Sequence, residues 1–218
     1  MDNASLESRL YEEARQFNDI IQFPFTDSYY NLTLKSLAVL RWTSLHCSRA
    51  KFILKLDNDC YVRVKPFIDQ LKALSTDALY GLNRRNDPVL RSGKWAIDQW
   101  YYPYTVYPAF HPSAYLVPGT LALPLYEALL SSPQTDIIPA LPFEDVYVTG
   151  ILAERLRLPR AIFPGMGVLF DRRYSFLNLI QFGSNDREDV RLLRTLTIAA
   201  ETIGDDDLRR IWRQIGAD

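Results

Sequence analysis

Apolar positions along the N-terminal part of the chain fall into two alternating rhythms. Leu6, Leu10, Tyr11 and Phe17 recur at near-helical spacing and predict a helix over 5–17. Residues 19–23 read as a short strand, and Asp27-Ser28 then offers a helix N-cap. Leu34, Leu37, Ala38, Trp42 and Leu45 stand three and four apart, predicting a long helix over 30–45 that packs on a sheet. Residues 51–56 are a short, largely apolar run that predicts a buried central strand. Helix, strand, helix and strand in that order imply a parallel α/β sheet.

Further along, Val64-Lys65-Pro66 opens a helix with Pro in its first turn and Phe67, Leu71 and Leu74 facing inward. Residues 78–82 predict a strand, 83–92 an Arg-rich loop, and 94–97 an edge strand. The stretch 100–112 is rich in Tyr and Pro, which excludes regular helix; an ordered aromatic loop is expected, suited to wall a ligand. A strand over 114–117 and a helix over 121–130 follow. Glu144 and Asp145 then stand just ahead of an apolar helical run, where helix N-terminal amides favour carboxylates. Residues 161–182 are short apolar pieces, and 205–215 predict an amphipathic helix that starts on acids. No repeat, low-complexity tract or linker divides the chain, so 1–218 reads as one domain.

Composition narrows this little. The 218 residues, 48% hydrophobic and 23% charged, fit an ordinary globular domain with a sizeable core. A formal net charge of −1 argues against a nucleic-acid partner held by bulk electrostatics. No apolar run approaches the roughly 20 residues of a membrane span, and residues 1–7 lack the basic start and apolar block of a signal peptide. Cys47 and Cys60 flank the predicted 52–56 strand at opposite ends, too far apart to bridge, so two separately used thiols are expected. Asn3-Ala4-Ser5 and Asn31-Leu32-Thr33 match the glycosylation sequon, a short pattern that often arises by chance.

The first chemistry stands at the end of the 51–56 strand, as Asp57-Asn58-Asp59. Ligands of open α/β sheets sit beyond the carboxyl ends of strands. Two carboxylates one residue apart suit a hard divalent cation such as Mg2+ or Mn2+. The bland alternative is an acidic pair at a solvated strand end. An EF-hand is excluded, because Val62 and Ile68 stand where its loop needs Gly and Glu.

Several blocks, in order, resemble one family. They are Asp19-Ile20-Ile21, Asp27-Ser28-Tyr29 with Asn31-Leu32-Thr33-Leu34-Lys35, Arg41-Trp42 with Cys47, Ala50-Lys51-Phe52 with Lys55-Leu56-Asp57-Asn58-Asp59, Lys94-Trp95, Tyr107-Pro108, and Glu144-Asp145-Val146-Tyr147-Val148. Together they resemble the β-1,3-galactosyltransferase and β-1,3-N-acetylglucosaminyltransferase family, glycosyltransferase family 31. The resemblance implies a glycosyltransferase A-type α/β fold, Rossmann-like, with a mixed but mostly parallel central sheet flanked by helices, here lacking the first strand or strands. Residues 1–60 would then be a partial nucleotide-binding half ending in the DxD motif, and 61–218 the acceptor and catalytic half. The implied reaction is inverting transfer of galactose or an N-acetylhexosamine from a UDP-sugar to a glycan hydroxyl in β-1,3 linkage, on a glycoprotein or glycolipid. Mn2+ or Mg2+ is the implied cofactor. The implied setting is the lumenal side of the Golgi membrane, through an anchor that this chain lacks.

The resemblance also implies roles. Asp59 would be the direct metal ligand, with Asp57 supporting the ion or the ribose and Asn58 in the variable middle position beside the nucleotide. Asp145 would be the catalytic base and Glu144 would orient the site or the acceptor. Helix capping is the structural alternative for both acids. Lys94 would approach the diphosphate and Trp95 would wall the sugar pocket, against the alternative of an amphipathic edge-strand tip. Arg84, Arg85 and Arg91 could face phosphate or solvent, and Tyr104, Tyr107 and Phe110 could form an acceptor platform or a packed loop.

The chain departs from the family pattern at three places. The block around Glu13 starts close to Met1, where relatives carry an anchor and further strands. The family's Ser-Gly turn after the Tyr-Pro segment is replaced by 109–115, which holds no glycine. The family's His before a C-terminal Trp is Glu201, counted back from Trp212; it could replace imidazole as an oxygen ligand or lie on the surface. A degenerate or truncated member, binding carbohydrate without turnover, is therefore the alternative to the enzyme. A glycosidase is a weaker third reading, since it leaves an acidic pair at a strand end unexplained.

Overall fold

A computed structural model describes residues 3–131, 140–168, 197–200, 209 and 213. Its elements run α1 (Asn3–Phe17), a 3-10 turn (Tyr29–Asn31), α2 (Leu32–His46), β1 (Phe52–Lys55), β2 (Tyr61–Val62), α3 (Val64–Leu71), β3 (Leu79–Gly81) and β4 (Tyr115–Pro118). A 3-10 turn (Gly119–Leu121), α4 (Ala122–Leu130), a π-helical stretch (Val146–Leu152), α5 (Ala153–Arg155), β5 (Arg160–Ile162), β6 (Met166–Val168) and β7 (Ile198–Ala200) complete it. Of the predicted 205–215 helix only Arg209 and Arg213 are described, and both are helical.

The main sheet has the order β1-β4-β3-β5. Strands β1 and β3 both pair antiparallel with β4, while β3 pairs parallel with β5. The expectation of a mostly parallel sheet therefore fails among the described residues. The reason is local. Strands β1, β3 and β5 do run in one sense, as alternation with helices predicts. Strand β4, reached through the aromatic loop rather than a crossover helix, runs back between β1 and β3; parallel neighbours need a crossover. This leaves β1, predicted as central, at the sheet's edge with half-buried residues. A second small sheet, β2-β7-β6, pairs β2 antiparallel and β6 parallel to β7.

Alternating side chains give the main sheet two packed faces. Ile53, Leu79, Tyr115 and Val117 meet Leu37 and Leu40 of α2, Leu125 of α4, and Val148 and Leu152 of the π-helical stretch, which Glu144 and Asp145 open as an acidic helix. Phe52, Leu54, Tyr80 and Leu116 meet Phe67 and Leu71 of α3, with Phe163, Met166 and Ile198. Leu79, Leu116, Leu125 and Leu152 are fully buried, each contributing about 1.5–3 kcal/mol. Gly119 fixes how closely β4 meets the chain before β1: a Cβ there would lie 1.9 Å from the Ala50 carbonyl oxygen.

Other expectations are corrected at the surface. Helix α1 forms, but Leu6, Tyr11 and Phe17 are more than half exposed. Helix α2 buries Thr33, Leu37, Leu40 and Thr43, whereas Leu34 and Leu45 face outward. Residues 19–23 form no strand and pair with none among the described residues. The predicted 94–97 edge strand is a turn, because Gly93 takes φ +87° and its carbonyl accepts from the Ala96 amide at 3.2 Å. Cys47 and Cys60 are separate thiols. Among the described residues no helix is long and apolar enough to cross a membrane.

Candidate active site

The site is built around a residue that stood inside a motif block without being given a role. Lys55 ends β1, an otherwise apolar strand. An ammonium has three N–H donors, and three acceptors surround this one. They are Asp57 Oδ1 at 2.7 Å, Glu144 Oε1 at 2.5 Å and the Ser113 carbonyl at 3.0 Å. Burial works against the Lys55 charge, but the Glu144 and Asp57 carboxylates overcome it and hold its pKa above the ordinary lysine value. The ammonium also lies 5.7 Å from the centre of the Tyr115 ring, its cross-strand neighbour.

Glu144 is 3% exposed and fully engaged. Its Oε2 accepts from the Tyr115 hydroxyl at 2.6 Å and from Ser36 Oγ at 3.1 Å. Burial, then the Glu144 charge, raises the Tyr115 phenol well above its ordinary value. These partners come from α2, β1 and β4, so three elements converge on one carboxylate. A buried charge needs such pairing to be tolerated.

Asp145 follows in the first turn of the same helix and keeps part of its surface open. Its carboxylate accepts from the Val146 amide at 2.8 Å and from the Ser113 amide. Burial, with the Glu144 charge beside it, pushes the Asp145 carboxyl up to about 7, while those amides and Lys55 pull the other way. A partly buried carboxylate with a pKa near neutrality is suited to take a proton at physiological pH. Thr149 Oγ1 donates to the Asp145 carbonyl at 2.6 Å and accepts from the His111 amide at 2.8 Å, tying the aromatic loop to this helix. The π-helical stretch begins here, a feature often found at functional sites.

Ser113 serves both Asp145 and Lys55. Its amide reaches Asp145 and its carbonyl reaches Lys55. It does so at φ +61°, a left-handed conformation that non-glycine residues seldom adopt. The glycine-free segment thus still makes a tight turn, with a serine bearing the conformational cost.

Asp57-Asn58-Asp59 forms the turn beyond β1, closed by the Cys60 amide on the Asp57 carbonyl at 3.3 Å. Asn58 is exposed at its tip. Burial, with Asp57 close by, raises the Asp59 carboxyl, and Cys60 Sγ lies 3.9 Å from its Oδ1. Two mutually repelling hard oxygens fit a divalent cation. Among the described residues no group of three or more His, Cys, Asp or Glu converges on a metal point. Glu201 lies outside the described residues.

Lys94 and Trp95 flank this centre. Trp95 Nε1 donates to the Tyr29 hydroxyl at 3.0 Å, and the Lys94 ammonium lies over the Tyr29 and Trp95 rings at 5.1 and 5.4 Å. Burial raises the Tyr29 phenol, the Trp95 bond opposes this, and Asp145 and Asp57 add to the rise. One phenol therefore feels both acidic turns. Arg91 is spent on the Ile97 and Tyr104 carbonyls at 2.9 and 2.7 Å, and Arg84 pairs with Asp87 at 3.3 Å. Tyr107 and Phe110 are buried in the loop's own core, while Tyr104 stays half exposed.

Lys55, Ser36, Tyr115, Ser113 and Tyr29 are contributors to which the motif reading gave no role. A charge ending an apolar strand was the available signal for Lys55. Tyr29 stands in the Asp27-Ser28-Tyr29 block, and nothing in the spacing announces Ser36, Tyr115 or Ser113.

A family model described as galactosyltransferase matches residues 1–164. The chain is 33% identical over 135 residues to lactosylceramide 1,3-N-acetyl-beta-D-glucosaminyltransferase of Homo sapiens, covering 59% of this chain and 36% of that protein. It is 32% identical over 152 residues to beta-1,3-galactosyltransferase 5 of Gorilla gorilla gorilla, covering 67% and 49%. It is 32% identical over 170 residues to beta-1,3-galactosyltransferase 2 of Homo sapiens, covering 72% and 37%. The chain thus spans between 36% and 49% of the length of these curated relatives.

Proposed function

Because the chain belongs to the β-1,3-galactosyltransferase and β-1,3-N-acetylglucosaminyltransferase family, glycosyltransferase family 31, we propose that it transfers galactose or an N-acetylhexosamine from a UDP-sugar to a glycan hydroxyl, with inversion. The observation that carries this reading is Asp145: a partly buried carboxyl near neutral pKa, fixed beside the Lys55-bridged acids.

In the proposed step, Asp145 takes the acceptor hydroxyl proton as that oxygen attacks the anomeric carbon. The bond from that carbon to the diphosphate oxygen breaks, and its electron pair leaves with UDP. One displacement gives inversion and the β-1,3 linkage. Asp57 and Asp59 would hold the divalent cation, with Glu201 as a candidate third ligand. When bound, Mn2+ or Mg2+ supplies neutralisation of the charge developing on the leaving diphosphate. Asn58 would sit beside the nucleotide. Trp95, steadied by Tyr29, would wall the sugar pocket, and Lys94 would face the diphosphate side. Glu144 would hold the site in place rather than touch the acceptor, since both its oxygens are engaged. We extend the family's Golgi lumenal setting and its glycoprotein or glycolipid acceptors to this chain on the resemblance alone.

The test is UDP release from UDP-galactose, UDP-N-acetylglucosamine and UDP-N-acetylgalactosamine, with and without Mn2+, over a panel of glycan acceptors. Metal-dependent release with one donor, lowered about 10²- to 10⁴-fold by Asp145→Asn, supports the reading. Release that survives Asp145→Asn removes its central residue. Glycan binding without turnover on any donor replaces the enzyme with a carbohydrate-binding member.

A further inference from the structure

We propose that Lys55 is a positioning residue that locks the turn carrying Asp57 to the helix carrying Asp145, so that the donor side and the base side of the site share one frame. The inference rests on the function proposed above for those two acids.

Each of the three ammonium protons goes to a different segment. One reaches Asp57 in the turn beyond β1, one reaches Glu144 at the start of the acidic helix, and one reaches the Ser113 carbonyl in the turn before β4. No two of these acceptors are local to one another in sequence. Strand pairing supplies the base of the frame, since Lys55 stands opposite Tyr115 in the β1–β4 register. Tyr115 and Ser36 fasten the other oxygen of Glu144 to β4 and α2. Ser113 then passes the restraint to Asp145 through its amide.

A generic cation would neutralise these acids without fixing them. Lysine does both, because a compact ammonium can donate in three directions from one point. Arginine carries the same charge on a planar fork and cannot reproduce that geometry. The charge-preserving substitution therefore separates neutralisation from positioning.

Three full-length variants test this: Lys55→Arg, Lys55→Met, and Lys55→Met combined with Glu144→Gln. Lys55→Met alone strands a buried carboxylate and is expected to fold poorly. The double variant removes both charges and leaves an amide for Ser36 and Tyr115, so its melting temperature is expected to return to near wild type. Hydrogen–deuterium exchange is then read in peptides covering 57–60 and 111–114. Positioning predicts about tenfold faster exchange there in the double variant and in Lys55→Arg, with α2 and α4 unchanged. It also predicts donor KM raised about tenfold and kcat lowered about 100-fold, the scale of a misplacement near 1 Å. Wild-type exchange at both peptides overturns the inference. So does full kcat and KM in a double variant of normal melting temperature. If the wild-type chain turns over no donor, the proposed function fails, and the exchange data still decide the role of Lys55.

Discussion

The two acidic turns differ in how they are held. Asp57-Asn58-Asp59 lies at the rim with an exposed tip, and of its two carboxylates the ammonium grips Asp57. Glu144-Asp145 lies inside, with Glu144 engaged by Lys55, Ser36 and Tyr115 and Asp145 by two amides. Both turns share Lys55, yet the chemistry they suit is different. An open acidic turn can exchange its hydration for an incoming cation. A closed one holds a carboxyl at a raised pKa for proton transfer. Solvent access, more than residue type, divides the roles.

The largest expected difference is in stability. Glu144→Ala should cost about 1–3 kcal/mol, because it leaves the buried Tyr115 hydroxyl without its acceptor and takes one of two carboxylates from Lys55. Asp59→Asn, at the rim, should stay within about 0.5 kcal/mol and should abolish the response to Mn2+. Chemical denaturation and a metal titration measure the pair. Equal costs at the two sites would erase the distinction.

A smaller effect is expected in pH dependence. Asp145 is raised to about 7 from an ordinary 3.8, so the folded chain holds a proton that the unfolded chain releases. That stabilisation is whole below the ordinary value and is lost as pH rises through about 7. Turnover should move the other way, rising through the same range as the base ionises. Melting curves and rates from pH 4 to 8, with Asp145→Asn as control, check both signs.

Smaller still is Ser113→Gly. It should relieve the left-handed conformation and stabilise the chain by about 1 kcal/mol or less, with turnover kept. The smallest effect belongs to Asn58→Ala at the exposed tip, within about 0.5 kcal/mol. Calorimetric melting of the two variants ranks them. A large loss at Asn58 would mean that the rim turn is as constrained as the buried one.

Both turns were legible as motifs, and so was most of the fold around them. Helices α2, α3 and α4 and strands β1, β3 and β4 stand close to where periodicity puts them. What escaped was relational. Reversal of β4 is decided by the path of the aromatic loop, and periodicity carries no direction. The inward face of α2 shifted because the helix meets both the sheet and α4, so Thr33 and Thr43 are buried while Leu34 and Leu45 are not. The 94–97 segment turned on Gly93, a backbone choice that outweighs the strand-forming side chains after it. Lys55 looked like a strand end; its meaning depends on acceptors at 113 and 144, which no local window contains.

The β1–β4 pairing also sets an order of events in the life of the chain. Among the described residues, β4 is the strand that fastens β1, and it lies far downstream of it. At a synthesis rate of about 5–20 residues per second, β1 and its acidic turn emerge seconds before Tyr115 and Glu144 exist to receive Lys55. Contacts so distant in sequence form slowly in any case. Until they form, Lys55 has its near neighbour Asp57 but neither Glu144 nor Ser113. The site is therefore a late product of folding, completed once the acidic helix has docked.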